Sequence, residues 1–419
     1  MKKGYKYRIY PTPEQAAFIQ KCCAASRVIY NFALGDSKRR REEDKKNGVE
    51  KPYYYSRYEY SKIVRDMIKN ATNEDGTLKY GWIKECDSML INYALIDLDT
   101  AYANIKKTGA GFPQFKRAGK CNRSYSFQKN KSSLIIVDDK YITVPKAGLV
   151  KIKLHRPIPE FAIMTAATIS ITPTDEYYIS ISLTLPDTIL ENEGGQVGID
   201  VGIKSFYCDS NGHVVDNPKF MKKSRKKLQR EQRKLTRKLS SHIIGYRRKC
   251  DPETKYQEKQ DATHNIPVYD KPLSECKNYQ KQRRKVAKIH QHVARQRDYF
   301  QDVESRKLAK ENSLICMEDL RIQNMQKNHK LAGSVSDAAW FSFKSKVDYK
   351  VKEHGGVLVS VPTFYPSSQT CFVCGYQNRN VKNLKIRKWT CPECGTEHDR
   401  DINAGKNILA KGQEILAGA

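Results

Sequence analysis

Four cysteines, Cys371, Cys374, Cys391 and Cys394, follow the pattern C-x2-C-x16-C-x2-C. That spacing brings four thiolates onto one tetrahedral zinc ion. Each knuckle, CFVCG and CPECG, carries a glycine directly after its second cysteine, where a tight turn lets backbone amides face the sulfurs. A ribbon of about 25 residues buries too little to fold unaided, so the metal must supply its folding free energy. The constraint reaches past the ribbon. Its last cysteine is followed by GTEHDRDINAGKNIL, which puts Asp399, Arg400 and Asp401 at the mouth of a helix. The other eight cysteines, among them Cys22, Cys86, Cys250 and Cys276, show no pattern and read as small residues in a reducing compartment.

Charge narrows the class of partner. The 419 residues include 76 Lys and Arg against 46 Asp and Glu, a net charge of +30. Such self-repulsion suits a protein that meets a polyanion. No apolar run approaches the ~18 residues of a membrane-spanning helix, and MKKGYKYRIYPTPEQ lacks the apolar core of a signal peptide. A cytoplasmic, prokaryotic protein bound to nucleic acid and not to a membrane is expected. A chain this long has room for about two to four domains.

Period and punctuation order the chain. KGYKYRIYP alternates as a half-buried strand does and stops at Pro11, after which Thr12-Pro13-Glu14-Gln15 caps a helix carrying Ala17, Phe18, Val28, Ile29 and Phe32. A Tyr-rich helical region follows to about residue 107, where Leu90, Ala94, Leu95 and Leu98 share one stripe. From about Ser124 to Leu185 the period is two, with a hairpin turning at Thr174-Asp175-Glu176, and these strands together with the first are expected to close a small barrel. PDTILENEGG reads as a linker. QVGIDVGIKSFYCDSNGHVV is a buried strand ending near Asp200 and running into a hairpin at Asn211-Gly212. Leu228, Leu235 and Leu239 in the basic stretch 219–249 face Val286, Ile289, Val293 and Phe300 across an antiparallel helical pair, with residues 251–273 between them expected as a loop. SLICMEDL is a buried strand ending on Glu318. A helix around WFSFKSKVDYKVKEHGG then leads to the strand VLVSV, the ribbon and the final helix.

Three acids thus occupy comparable places: Asp200 and Glu318 at the ends of buried strands, Asp401 at the start of a helix. Any one alone reads as a turn or cap residue; together, in that order of elements, they are how a two-metal nuclease is built. Two carboxylates about 4 Å apart repel by roughly 4 kcal/mol at an effective dielectric of 20, so three in one cleft need cations between them. Two Mg²⁺ ions suit oxygen ligands and serve an in-line phosphodiester cleavage. Asp401 shares a helical face with Ala404, Gly405 and Ile408, small enough to lie close to a sheet, whereas Asp399 precedes that face and caps the helix. Arg400 is free to contact phosphate or to pair with Asp399. His398 lies outside a complete four-cysteine set.

The segments GIDVGIKSF, ICMEDL and HDRDINAGKNIL, with PSSQTCFVCG and CPECGTEHD between the last two, resemble the split RuvC motifs and zinc ribbon of TnpB, the transposon-encoded RNA-guided nuclease, and of the miniature type V CRISPR effectors related to it. KYRIYPTPEQ and FPQFKRAGKCNRSYSF extend the likeness over nearly the whole chain. The resemblance implies a multidomain α+β protein. About residues 1–190 would form an oligonucleotide-binding-like (wedge) β-barrel with a helical recognition domain inserted at about 25–120. About residues 191–419 would form a RuvC/RNase H-like α/β nuclease domain, with a helical insertion at about 219–310 and a zinc ribbon at about 366–398. It implies cleavage of double-stranded DNA beside a short target-adjacent motif, directed by a guide RNA. Asp200, Glu318 and Asp401 fall on the family's magnesium-binding catalytic acids, and the four ribbon cysteines on its structural zinc ligands. Two features depart from the usual pattern: the stretch 241–275 is long, and NAGKN stands where many relatives have a second alanine.

The basic residues of 219–249 are answered by few acids and read as a nucleic-acid channel rather than a solvated face. The tyrosines of YYYSRYEY suit base stacking or a helical core equally. A CRISPR effector with a separately encoded guide would share every motif, a nuclease-inactive repressor would lack the need for three acids, and a simple zinc-ribbon DNA-binding protein would leave those acids unexplained. Monomer and homodimer both accord with the sequence.

Overall fold

The computed structural model describes residues 1–51, 53–108, 111–119, 121–248, 265–383 and 385–418. The chain divides into two compact units, Met1–Asp187 and Thr188–Ala419.

In the first unit, β1 (Lys2–Tyr10) turns Tyr5, Tyr7 and Ile9 inward and Lys6 and Tyr10 outward, as its alternation requires. Pro11 ends it. A capping box then opens α1 (Pro13–Lys46): the Gln15 amide donates to Thr12 Oγ1 at 3.3 Å, and the Thr12 amide donates to Gln15 Oε1 at 3.0 Å. The buried face of α1 carries Ile19, Cys22, Ile29 and Leu34, while Phe18, Val28 and Phe32 are half-buried and Ala17 is exposed. The stripe expected from Ala17 is therefore displaced toward Ile19. Next come α2 (Arg57–Asn70) and α3 (Met89–Thr108), where Leu90, Ala94, Leu95 and Leu98 are buried. The two readings of the tyrosine run divide by residue. Tyr55 and Tyr60 stack in the core with ring centroids 5.3 Å apart, whereas Tyr54 and Tyr58 are exposed.

Strands β2 (Arg123–Gln128), β3 (Ile136–Val137), β4 (Tyr141–Val144), β5 (Gly148–Lys153), β6 (Ile163–Ile171) and β7 (Tyr177–Thr184) join β1 in one sheet ordered β2-β6-β7-β1-β5-β4-β3. The β6–β7 hairpin turns over Thr172–Glu176, with Asp175 at φ 61°. The expected closed barrel is a half-barrel: β2 and β3 follow one another in sequence yet lie at opposite edges. β3 is two residues long and pairs only with β4, and the residues before it extend that same pairing, the Leu134 amide donating to the Thr143 carbonyl and the Ile135 amide to Thr143 Oγ1.

The second unit centres on a five-stranded sheet. Strands β8 (Gly195–Val201), β9 (Ser205–Asp209) and β10 (Val214–Asp216) form an antiparallel meander. The basic helix α4 (Phe220–Ser240) leads to a two-stranded ladder of β11 (Ile243–Arg248) and β12 (Asn265–Tyr269), and α5 (Lys277–Glu311) returns to β13 (Asn312–Glu318). Short helices α6 (Ile322–Gln326) and α7 (Ala332–Ala338) precede α8 (Trp340–Glu353) and β14 (Val357–Val361); the ribbon strands β15 (Lys388–Thr390) and β16 (Glu397–Asp399) precede α9 (Arg400–Ala417). The sheet order is β10-β9-β8-β13-β14, with β8, β13 and β14 parallel. One face packs Val197, Ile199, Ile315 and Met317 against Phe343, Val347 and Val351 of α8; the other packs Leu314, Cys316 and Val361 against Ile408 of α9. Helices on both faces explain why these strands read as continuous apolar runs.

Leu228, Val286 and Ile289, with Met221 and Leu235, join α4 to α5. A polar clasp crosses the same seam, where Gln282 Nε2 donates to Glu231 at 2.8 Å. The loop expected at 251–273 is replaced in part by β12, and residues 251–264 of that expectation lie outside the described residues. Within the basic stretch 219–249, α4 ends at Ser240, and residues 243–248 pair with 265–269.

Helix α9 lies unusually close to the sheet. A Cβ on Gly405 would stand 2.8 Å from the Ser210 amide nitrogen, one on Gly198 would stand 2.6 Å from the Leu409 nitrogen, and one on Gly412 would overlap the Cys316 sulfur. By contrast, a Cβ on Gly333 of α7 would meet nothing. Gly405→Ala should therefore lower unfolding free energy by about 1–3 kcal/mol through overpacking. Gly333→Ala should leave it unchanged or raise it by up to about 1 kcal/mol through helix propensity. Denaturant midpoints of the two variants check the opposite signs.

Candidate active site and metal-binding ribbon

Asp200 and Glu318 stand at the carboxyl ends of adjacent parallel strands. The β8–β13 register pairs Ile199 with Met317, so the next residue on each strand lies at the same level. The crevice outside strand ends of this kind is where open α/β sheets bind ligands. The third acid arrives from the helix side. Asp399 is the N-cap of α9, its Oδ1 accepting from the amides of Asp401 at 3.0 Å and Ile402 at 3.2 Å. Asp401 follows in the first turn, on the face whose Ala404, Gly405 and Ile408 are buried.

Electrostatics couples the three. Burial pushes the Asp200 carboxyl well above the usual carboxylate range, and the charges of Glu318 and Asp401 push it further, while Arg400 and Arg387 oppose them. Asp200 retains some exposure to solvent but is densely surrounded by protein. Burial also raises Glu318, opposed by Ser367, whose Oγ donates to Glu318 Oε1 at 2.5 Å. Arg387 Nη1 donates to both carboxylate oxygens of Asp401, at 3.2 and 3.1 Å. The trio is absent from the side-chain clusters of the described residues whose ligand atoms all lie within 4.8 Å. An all-carboxylate donor set has the chemistry to hold a hard divalent cation.

Arg400 does not pair with Asp399. It is buried, with Nη1 donating to the Asn383 carbonyl at 3.3 Å and Nη2 to Ser368 Oγ at 3.5 Å. Sequence reasoning missed Ser367 and Arg387, and also two asparagines of α9. Asn407 Nδ2 donates to the carbonyls of Ser367 and Thr370, Asn403 Nδ2 donates to Thr370, and the Phe372 amide donates to Asn403 Oδ1. The available signal was the spacing: Asn403 and Asn407, one turn apart, are polar where the helix should be apolar.

The ribbon meets the requirements of a four-thiolate zinc site. All four sulfurs lie within 4.8 Å of one another, and the pairs Cys371–Cys394 and Cys374–Cys391 are each 3.6 Å apart. Zn–S bonds of about 2.3 Å in a tetrahedron require about 3.8 Å. Gly375 and Gly395 take φ 78° and 72°, and their amides donate back to the Cys371 and Cys391 carbonyls, both at 2.9 Å. His398 packs at a tilt against Trp389 and brings Nε2 to 3.0 Å from Cys371 Sγ, outside the cysteine set but within hydrogen-bond reach of it.

Comparison with known proteins shows which family the chain belongs to. Residues 340–408 match the family model "Cas12f1-like, TNB domain", 180–329 match "Probable transposase", and 1–46 match "Helix-turn-helix domain", although here 1–46 form one strand and one long helix. A solved structure titled "Cryo-EM structure of the Cas12f1-sgRNA-target DNA complex" superposes with a TM-score of 0.52 at 13% identity, covering 98% of each chain, a likeness of fold. A Streptomyces pristinaespiralis protein named "Putative RNA-guided DNA endonuclease" is 31% identical over 98% of this chain and 90% of its own length. The Escherichia coli (strain K12) protein named "Putative RNA-guided DNA endonuclease InsQ" is 26% identical over 99% and 93%. The chain belongs to the TnpB family of RNA-guided DNA endonucleases.

Two outcomes follow from the site. Cys391→Ser should lose one equivalent of zinc by metal analysis and unfold the ribbon while the remaining core still melts cooperatively. Asp200→Asn, by relieving repulsion in the cleft, should raise the melting temperature in EDTA by a few degrees and abolish the further rise expected of the wild type on adding Mg²⁺. Thermal scans with and without Mg²⁺ read both effects.

Proposed function

We propose that this RNA-guided DNA endonuclease cleaves double-stranded DNA beside a short target-adjacent motif, with Asp200, Glu318 and Asp401 as its catalytic carboxylates. The observation that carries the reading is their convergence: two adjacent parallel strand ends and one helix start bring three electrostatically coupled acids to the same end of one sheet. That arrangement is the RuvC-like catalytic plan, and it makes residues from about 191 onward the nuclease domain.

The three carboxylates would hold two Mg²⁺ ions, which supply water activation and stabilisation of the leaving 3′-oxygen when bound. The protein's own groups set the geometry. Ser367 fixes the Glu318 carboxylate by its hydrogen bond, and Asp399 fixes the α9 N-terminus so that Asp401 points from a rigid first turn. Arg387 holds Asp401 from the ribbon side and puts a cation at the edge of the acidic cleft, where a phosphate would enter. The ribbon zinc is structural. It shapes the segment that delivers Ser367, Arg387 and the start of α9.

Guide RNA and target DNA are the polyanions that the charge of +30 answers. Lys222, Lys223, Arg225, Lys226, Arg233 and Arg237 lie along α4 and suit backbone contacts. The first unit, a half-barrel with its helices, serves as the wedge and recognition part that grips the guide and reads the adjacent motif, base pairing supplying the remaining specificity.

Cleavage of a guide-matched duplex in Mg²⁺, run beside a binding assay in EDTA, tests the assignment. Alanine at Asp200, Glu318 or Asp401 should lower cleavage by about a hundredfold to a thousandfold or more and leave binding nearly intact. Ser367→Ala should lose about 10- to 100-fold. Asp399→Ala should cost no more than a cap, about 1 kcal/mol of stability. Cutting that survives Asp401→Ala and fails in Asp399→Ala would overturn the roles. Separately, neutralising the α4 cations should weaken binding to all sequences and flatten the salt dependence, by about 0.9 log units per log salt for each duplex phosphate that is no longer neutralised.

A further inference from the structure

Outside the ribbon and the acidic cleft, one more group of described side chains converges with the chemistry of a metal site. His242, Asp270 and Cys276 bring one ligand atom each to within 4.8 Å of one another. His242 Nδ1 lies 3.1 and 3.2 Å from the two Asp270 oxygens. They come from three separate points of the chain: His242 just after α4, Asp270 directly after β12, and Cys276 at the N-cap of α5. We infer that they form a second zinc site at the base of the β11–β12 hairpin.

The backbone holds all three in place. The His242 amide donates to the Leu239 carbonyl at 3.1 Å, and the Asp270 amide donates to the His242 carbonyl at 3.0 Å, closing the hairpin base. The turn from Asp270 to Cys276 is pinned by the Glu275 amide, which donates to the Pro272 carbonyl at 2.9 Å, and by Gln280 Nε2, which donates to the Leu273 carbonyl at 2.6 Å. Cys276 is buried, His242 half-buried, and the Asp270 side chain 40% exposed, so a bound ion would have protein on one side and water on the other.

The donor set selects the metal. A thiolate, an imidazole and a carboxylate together are too soft for Mg²⁺ and suit Zn²⁺, with a water in the fourth position. In tetrahedral zinc, neighbouring N and O ligands about 2.0–2.1 Å from the metal stand roughly 3.3–3.4 Å apart, close to the distances found here. The site would tie the end of α4, the hairpin and the start of α5 at one point, fixing the hairpin's direction relative to the basic helix. It differs from the ribbon in having one sulfur instead of four, and it does not depend on the catalytic reading.

Metal analysis of the full-length protein purified in zinc-containing buffer tests the inference. The wild type should hold about two zinc ions per chain, His242→Ala and Cys276→Ser each about one, and Cys391→Ser about one by losing the other. A wild type with one zinc that disappears in Cys391→Ser, or His242 and Cys276 variants that keep two, overturns it. Cadmium-113 resonance of the substituted wild type guards against variants that fail to fold. Two signals are expected, one in the four-sulfur range and one far upfield with a single sulfur ligand; a lone four-sulfur signal overturns the site.

Discussion

Mutual repulsion among Asp200, Glu318 and Asp401 is the constraint around which the second unit is arranged. A fold that buries like charges at one sheet end must fix them by other means, and each acid has its own: Ser367 for Glu318, Arg387 for Asp401, and for Asp200 a strand hydrogen-bonded on both sides. Covalent continuity matters as much as contact. The ribbon supplies Arg387, and its last strand becomes the cap of α9, so cysteine cluster, cap and acid follow one another along the chain.

The glycines complete that arrangement from beneath. Gly198 on β8 and Gly405 on α9 remove the side chains that would hold helix and sheet apart, which lets the first turn of α9 reach the strand ends. On the opposite face, α5 and α8 form an ordinary apolar layer, stiffened by Lys350, whose ammonium donates to the Asp302 carboxylate at 2.7 Å and to Ser305 Oγ at 3.0 Å. Burial presses the Lys350 pKa down, and Asp302 opposes it. A buried lysine held in this way gives one defined orientation to two helices whose apolar surfaces alone would tolerate sliding.

The sequence made the regular parts legible because their signals are local. The Thr12–Gln15 capping box, the Asn211-Gly212 turn and the cysteine knuckles each involve residues within a few positions of one another, and the helical phase alone separated Asp399 from Asp401. What escaped depends on distant partners. Nothing near Ser367 announces Glu318, and Arg387 looks like any surface arginine until the β15–β16 ladder brings it to Asp401. The β11–β12 ladder was hidden by its composition, since strands stabilised by backbone pairing at the surface need no apolar stripe. Barrel closure was misjudged for a related reason: alternation shows that strands exist and says nothing of whether a two-residue strand such as β3 can close the ring.

The order of the three acids along the chain has a bearing on how the protein is made. Asp200 and Glu318 lie on strands that precede the ribbon, and Asp401 follows it. Domains fold as they leave the ribosome, amino-terminal parts first. A growing polypeptide can thus assemble its grip on nucleic acid, and even two of the three walls of its acidic cleft, while the last helix is still being synthesised. Under the proposed roles of the three acids, the cleft is complete only with α9, the last element to be synthesised.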